Sequence, residues 1–141
     1  MRIAFGADDK NETTRAVLDY LARRGHDVTV VHLERWPDLG AEVGRAVVDG
    51  RADVGVVMCW TGTGTAIAAN KVDGVRAALA WDPWIARGAR QWNDANVLAM
   101  SLKRLAPDVA VEVVQAFLDT PGPDPDEEEN IALLSDLEGP R

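Results

Sequence analysis

Five times along this chain a short apolar run is followed by an amphipathic stretch of helical period, and that alternation constrains the fold more than any other feature. The apolar runs are Arg2 to Phe5, Val28 to Leu33, Asp53 to Cys59, Arg76 to Ala80 and Asn96 to Met100. The helical stretches after them are Thr13 to Arg24, Asp38 to Val48, Thr65 to Lys71, Pro83 to Trp92 and Pro107 to Leu118. Gly25 and Gly50 stand where the first two must stop. The third run is apolar throughout after its first residue, as a central strand covered on both faces requires. Strands alternating with helices need right-handed crossovers, which lay helices on both faces of one parallel sheet. The prediction is therefore α/β: a three-layer, doubly wound, Rossmann-like sandwich with a five-stranded parallel sheet and a C-terminal helix.

The rest of the chain adds little to that plan. Pro121-Gly122-Pro123-Asp124-Pro125 reads as a turn-rich linker, and Asp126 to Leu137 as a last helix whose first-turn acids suit the helix macrodipole. Residues 1–120 form the α/β unit; 121–141 are the linker and terminal helix of the same domain, placed to pack on a partner subunit. A chain of 141 residues can bury one core without staples. Its single cysteine excludes an internal disulfide, and His26 and His32 have no metal-ligand spacing, so neither a metal nor a cofactor is expected. Both histidines read as structural. No apolar run is long enough to cross a bilayer and the N-terminus has no signal-peptide pattern, so a soluble, cytoplasmic protein is expected, with no membrane partner. A net charge of −8, with no Lys/Arg stripe among aromatics, argues against nucleic acid.

Ligands of such sheets bind beyond the carboxyl ends of the strands. Those ends carry Asp8 and Asp9, then Trp36, then Cys59 to Gly64, then Trp81-Asp82-Pro83-Trp84, and finally Ser101 to Arg104. The loop Cys59-Trp60-Thr61-Gly62-Thr63-Gly64 is the most informative. Its glycines let backbone N–H groups approach a ligand, and a helix begins straight after it, which suits an anion or oxyanion. A thiol beside a helix N-terminus has its thiolate favoured, as a base or nucleophile needs. Taken alone, Cys59 reads equally well as a small buried hydrophobe, and Thr-Gly-Thr-Gly as an ordinary turn. Trp36, Trp60, Trp84 and Trp92, with Trp81, all fall near this rim. Singly each reads as core; together they read as an aromatic-lined pocket for a weakly charged ligand.

A longer string surrounds that loop. Cys59 to Gly64 is followed by Ala68-Ala69-Asn70-Lys71 and by Gly74-Val75-Arg76-Ala77-Ala78; the chain also carries Ile3-Ala4-Phe5-Gly6-Ala7-Asp8, Trp36-Pro37, Asp82-Pro83-Trp84 and Asn93-Asp94-Ala95-Asn96-Val97-Leu98-Ala99. In this order the segments resemble the ribose-5-phosphate isomerase B and galactose-6-phosphate isomerase family, over nearly the whole chain. The resemblance implies a homodimer, or a dimer of dimers, with active sites built from both subunits. It implies a metal-free aldose–ketose isomerisation in which a base moves a proton between C1 and C2 through an enediolate. Cys59 matches the family's base and Thr61 a threonine that assists ring opening. The loop amides of Thr61, Gly62, Thr63 and Gly64 match the oxyanion site; Asp8 matches a residue that contacts substrate hydroxyls, and Asn93 lies in the matching polar segment.

The departures from the family share a direction. Asp9 stands where the family has a phosphate-holding histidine, and Trp92 where it has the histidine that opens the sugar ring. Two phosphate-binding arginines align with Asp126 and Asn130, and a third with Lys103, leaving only Lys103 and the adjacent Arg104 of the clamp. Asp126 to Glu129 also read simply as a solvated, capped helix start. Carboxylates where a dianion should sit reverse the local field. The leading expectation is an aldose–ketose isomerase with Cys59 as base and an altered, less anionic, carbohydrate-like substrate. One alternative is a non-catalytic small-molecule-binding descendant that keeps the cleft; another is an enzyme using the same loop for a different proton transfer beside a carbonyl.

Overall fold

The computed structural model describes residues 1–139. Residues 140 and 141, the last of the terminal segment, lie outside the described residues. In chain order the elements are β1 (Arg2–Ala7), α1 (Glu12–Arg23), β2 (Asp27–Val30), α2 (Trp36–Val48), β3 (Val54–Cys59), α3 (Thr63–Asn70), β4 (Ala77–Leu79), α4 (Pro83–Asn93), β5 (Val97–Ser101), α5 (Pro107–Asp119) and α6 (Glu128–Asp136). The strands form one parallel sheet in the order β2-β1-β3-β5-β4. The expected doubly wound α/β sheet is therefore present, with β3 at its centre.

Two apolar clusters flank the sheet. On one side, Val17 and Leu21 of α1, Ala86 and Ala89 of α4, and Val113 and Phe117 of α5 pack on Phe5, Val56, Met58 and Leu98. On the other, Val43 and Ala46 of α2 and Ala66 and Ala69 of α3 pack on Ala4, Val57, Val97 and Ala99. A strand sends alternate side chains to opposite faces. Hence Val56 and Met58 face the first layer, whereas Val57 and, two residues on, Cys59 face α2 and α3. Every residue of β3 is buried. Each large side chain so enclosed contributes about 1.5–3 kcal/mol. The catalytic candidate is thus carried by a strand buried along its whole length.

Where element bounds differ from the sequence reading, the reason is pairing or capping. β1 runs on to Ala7 because β3 pairs Gly6 and Ala7 with Val57 and Met58. β2 stops at Val30 instead of Leu33: as an edge strand it pairs only with β1, and one further bond, Val31 N–H to Phe5 C=O at 2.8 Å, closes the register. α2 begins at Trp36 with Pro37 in its first turn, where a missing N–H breaks no helical bond. β4, the other edge, is reduced to Ala77–Leu79. Here the Asn70 side chain takes the place of a neighbouring strand, its Nδ2 donating to Ala77 C=O at 2.9 Å and its Oδ1 accepting from Ala77 N–H at 2.8 Å.

The terminal segment opens as a 3-10 turn at Pro125–Glu127, capped by Asp124, before α6 begins at Glu128. No residue of α6 is buried, and Leu133, Leu134 and Leu137 are exposed. Its far end is tied to the body by Gly74 N–H donating to Glu138 Oε1 at 2.7 Å. Among the described residues, no helix is long and apolar enough to cross a membrane.

Candidate active site

β1 and β3 are neighbours whose following helices lie on opposite faces of the sheet, so the chain diverges there and leaves a crevice at the carboxyl ends. A cavity of about 440 Å³ opens at that point, lined by Asp8, Trp36, Cys59, Trp60, Thr61, Thr63 and Gly64. Gly62 makes the turn possible. Its φ of +79° is left-handed, and a Cβ there would sit 2.6 Å from Leu79 Cδ1 and 2.7 Å from Met100 C. Because the turn is completed in one residue, α3 starts at Thr63 rather than at Thr65. Thr63 and Gly64, expected in a loop, are first-turn residues, and the N–H groups of that turn have no intrahelical acceptor. Gly64 also allows a close approach: a Cβ on it would meet the Trp36 ring at 3.0 Å.

Cys59 ends β3 directly beneath that helix start and is buried. Gly62 N–H donates to Cys59 Sγ at 3.2 Å, and Thr65 Oγ1 lies 3.4 Å from the same sulfur as a second donor. Thr65 is itself fully buried and also within reach of Gly62 C=O at 3.3 Å. The sulfur thus accepts Gly62 N–H, and the single Thr65 hydroxyl hydrogen is within reach of both the sulfur and Gly62 C=O. Thr61 Oγ1 and Thr63 Oγ1 are 2.6 Å apart at the cavity mouth. Sequence reasoning placed Thr65 only in the helix. The signal was its hydroxyl six residues after Cys59, which becomes readable once α3 is known to start at Thr63.

Two carboxylates stand on the β1 side. Asp8 N–H is bonded to Met58 C=O at 3.2 Å, while Asp8 Oδ1 is buried with no hydrogen-bond partner. Burial, then the charge of Asp9, hold the Asp8 carboxyl above its ordinary range, only partly offset by its own backbone N–H. Asp9 is the opposite case. Lys10 N–H at 2.8 Å, Trp60 Nε1–H at 3.1 Å and the nearby Lys103 charge hold it below the ordinary range. Lys103 Nζ lies 4.7 Å from the Trp60 ring centroid. Ser101 Oγ donates to Trp60 C=O and accepts Arg104 N–H at 2.9 Å, tying the β3 and β5 loops together.

Trp84 and Trp92 do not line this cavity within one chain. They meet each other on the exposed surface of α4, ring centroids 5.4 Å apart at 67°. Trp81 is exposed nearby at the end of β4. Asn93, the last residue of α4, lines a different cavity of about 710 Å³ between β4 and the end of α6. Asp126 and Asn130 are exposed, with Asn130 Nδ2 donating to Glu127 Oε2. A third cavity, about 580 Å³, shares Asp8 with the Cys59 cavity, is also lined by Asp9, and runs between α1 and the end of β2, where it exposes Lys10, Arg15 and His32. His26 instead sits by the N-terminal amine. Among the described residues, no three His, Cys, Asp or Glu side chains gather where they could hold a metal ion.

Known proteins match this chain along nearly its whole length. A family model described as Ribose/Galactose Isomerase matches residues 3–133. A D-erythrulose-4-phosphate isomerase of Pectobacterium atrosepticum is 35% identical over 126 residues, covering 84% of this chain and 83% of its own. Ribose-5-phosphate isomerase B of Escherichia coli is 35% identical over 125 residues, covering 83% of each. The solved ribose-5-phosphate isomerase B of Clostridium thermocellum superposes with a TM-score of 0.91 at 33% identity, covering 98% of this chain and 97% of that one. The sheet order, the crevice at β1 and β3 and these matches together make the chain a member of the ribose/galactose isomerase family of enzymes.

Proposed function

We propose that this enzyme interconverts an aldose and a ketose by moving a proton between C1 and C2 through an enediolate, with Cys59 as the base. The observation that carries this is the sulfur itself: it ends the central strand at the floor of the cavity, with Gly62 N–H and Thr65 Oγ1 both directed at it. The first-turn amides of α3, with those of the Thr61–Gly62 turn, are the groups for the oxyanion that develops at the carbonyl; two of them are held within the loop meanwhile, Thr63 N–H by Thr61 Oγ1 at 3.4 Å and Gly62 N–H by Cys59 Sγ at 3.2 Å. Preorganised donors of that kind are worth about 3 kcal/mol each in transition-state stabilisation. Asp8, with one oxygen unpartnered, holds substrate hydroxyls. Thr61 assists ring opening. A thiolate base and fixed amides suffice for the proton transfer, so no bound cofactor enters this reading.

The substrate is less anionic than the phosphorylated sugars for which the relatives are named. Asp8 lines the cavity, Asp9 is bonded to Trp60 of its wall, and the neighbouring cation, Lys103, is already engaged with the Trp60 face. A phosphate dianion entering there would meet the Asp8 carboxylate, which lines the cavity with one oxygen unpartnered. The active form is a cytoplasmic homodimer. Trp81, Trp84 and Trp92 around α4, and Leu133 and Leu137 on α6, form exposed apolar surface of the sort that marks an interface.

The test is C2 proton exchange in deuterated buffer, followed by NMR, with ribose 5-phosphate and a panel of unphosphorylated aldoses and ketoses. Exchange with unphosphorylated sugars, lowered about 10²- to 10⁴-fold in Cys59→Ala, is the expected result for loss of a general base. Efficient ribose 5-phosphate turnover would overturn the substrate assignment, and silence across the panel would overturn the isomerase assignment in favour of a binding role.

A further inference from the structure

Trp60 is 60% exposed, yet its indole is engaged on two sides. Its ring N–H donates to Asp9 Oδ2 at 3.1 Å, and one region of its π-face is met by Lys103 Nζ at 4.7 Å from the centroid. Its backbone carbonyl accepts from Ser101 Oγ. Asp9 is fixed in turn, its other oxygen accepting Lys10 N–H at 2.8 Å. Three strand ends thus contribute to one exposed ring: β1 through Asp9, β3 through Trp60 itself, and β5 through Ser101 and Lys103. A solvent-exposed tryptophan ordinarily gains little from being fixed, since ordering a side chain has an entropic cost and exposure forgoes burial. This one lines the Cys59 cavity.

We propose that Trp60 is the specificity-determining platform of the site, stacking on the C–H face of an uncharged sugar, with Asp9 and Lys103 as the positioning residues that fix its plane. The inference rests on the isomerase reading above and names what that reading left open, the means by which the site selects its sugar. An aromatic face attracts the weakly positive C–H surface of a pyranose, furanose or open-chain polyol, and it carries no charge to repay the desolvation of a phosphate. Asp9 bonds the indole N–H, Lys103 meets its π-face, and the Lys103 charge acts favourably on the Asp9 carboxylate. Lys103 is therefore committed to the indole and Asp9, and it does not act as a phosphate clamp. The same two contacts explain why an acidic residue at position 9 is compatible with a working cavity: its charge is satisfied by Lys10 N–H, Trp60 Nε1–H and Lys103, and is not directed at the sugar.

Three variants and two readouts test this. Trp60→Phe keeps a ring but deletes the N–H that meets Asp9; Trp60→Ala deletes the platform; Lys103→Met removes the cation and keeps the aliphatic stem. Exchange kinetics at C2 are measured with D-ribose and with ribose 5-phosphate, alongside the indole ¹⁵N–¹H resonance of Trp60, assigned by its disappearance in Trp60→Phe. Trp60→Ala is expected to raise KM for D-ribose about tenfold, the loss of one stacking contact, while kcat changes less than about threefold. Trp60→Phe should raise KM by a smaller factor. In the wild type, adding D-ribose should shift the Trp60 indole resonance, and Lys103→Met should weaken D-ribose without any selective loss of ribose 5-phosphate. A selective loss of ribose 5-phosphate in Lys103→Met would assign Lys103 to phosphate and overturn the proposal, as would Trp60→Ala with unchanged KM. If no sugar undergoes Cys59-dependent exchange, the isomerase reading fails; an indole shift with D-ribose would then still uphold the platform, and its absence would sink both.

Discussion

Gly40 of α2 faces the helix that carries the active-site amides, and replacing it by alanine should disturb both stability and chemistry. A Cβ at Gly40 would lie 2.7 Å from Thr65 C=O, 3.0 Å from Ala68 Cβ and 3.2 Å from Thr65 Cα. Two of those three atoms are α3 backbone, so no side-chain rotamer can relieve the contact. An ordinary contact is nearer 3.5 Å, so α2 and α3 must separate by several tenths of an ångström, at an overpacking cost of about 2–3 kcal/mol, the upper part of the usual range because the atoms met are backbone. Against this, alanine in a helix is favoured over glycine by about 0.8–1 kcal/mol. The net expectation is a loss of about 1–2 kcal/mol. For a domain of this size that lowers the thermal midpoint by roughly 3–10 °C. Because Thr65 also donates to Cys59 Sγ, the separation should reduce C2 exchange in excess of any loss of folded protein. The assay is calorimetric or circular-dichroism melting with urea titration, paired with exchange kinetics at a temperature where both proteins are folded. Gly25→Ala is unsuitable as a control, since Gly25 has φ of +75°; Ala22→Gly, an exposed change in α1, reports the propensity term alone. A Gly40→Ala protein as stable as the wild type, or more so, would refute the close-packing argument.

Other outcomes follow from the same structure. Thr65→Val, an isosteric change at a fully buried site, should cost about 1 kcal/mol in urea titration, since the one Thr65 hydroxyl hydrogen is lost while Gly62 C=O keeps Ala66 N–H. Asp82→Ala removes the Oδ1 acceptor of Ile85 N–H at 2.8 Å and should cost about 1 kcal/mol as a lost α4 cap. Asp8→Asn should stabilise the fold at neutral pH while impairing turnover. The Asp8 carboxyl is raised in the folded state, so its native protein binds the proton more tightly and stability falls as pH rises through the folded value; the gain from Asn should vanish below the ordinary carboxylate range. Asp53 has the opposite sign: Arg2 holds its carboxyl down, and its contribution is present above the ordinary range and lost as pH falls, which a melting series on Asp53→Asn checks. Trp84→Ala combined with Trp92→Ala should shift the sedimentation coefficient toward a monomer, and unchanged sedimentation would remove α4 from the interface.

Much of this was legible in the residues. The apolar run ending at Cys59 could be read as the central strand because no polar residue interrupts it, and right-handed crossovers then put helices on both faces. The order β2-β1-β3-β5-β4 was not legible, because crossover hand does not fix which strands are neighbours. Cys59, Thr61 and Gly64 could be placed at one cavity because strand-end position fixes them. Less legible was anything decided by long-range side-chain contact. The bond between Trp60 and Asp9 joins residues 51 apart in sequence, and nothing in either neighbourhood announces it. The pairing of Trp84 with Trp92 depends on rotamers along α4, so strand-end position alone put both at a rim that the single chain does not give them. Asn93 was traced to a polar segment, but its place at the far end of α4 turns it toward β4 and α6.

The side chain of Asn70 has a consequence for how this protein behaves in a crowded solution. β4 is a short edge strand, and an open edge can template another chain into an extended sheet. By occupying both the donor and the acceptor of Ala77, Asn70 presents incoming strands with an edge already filled at that residue. Asn70→Asp would leave Ala77 C=O without its donor and Asn70→Ala would bare both groups. Either change exposes a β ladder to intermolecular growth without touching the core, so slow fibrillation or precipitation, measured by light scattering over days, would precede any fall in melting temperature.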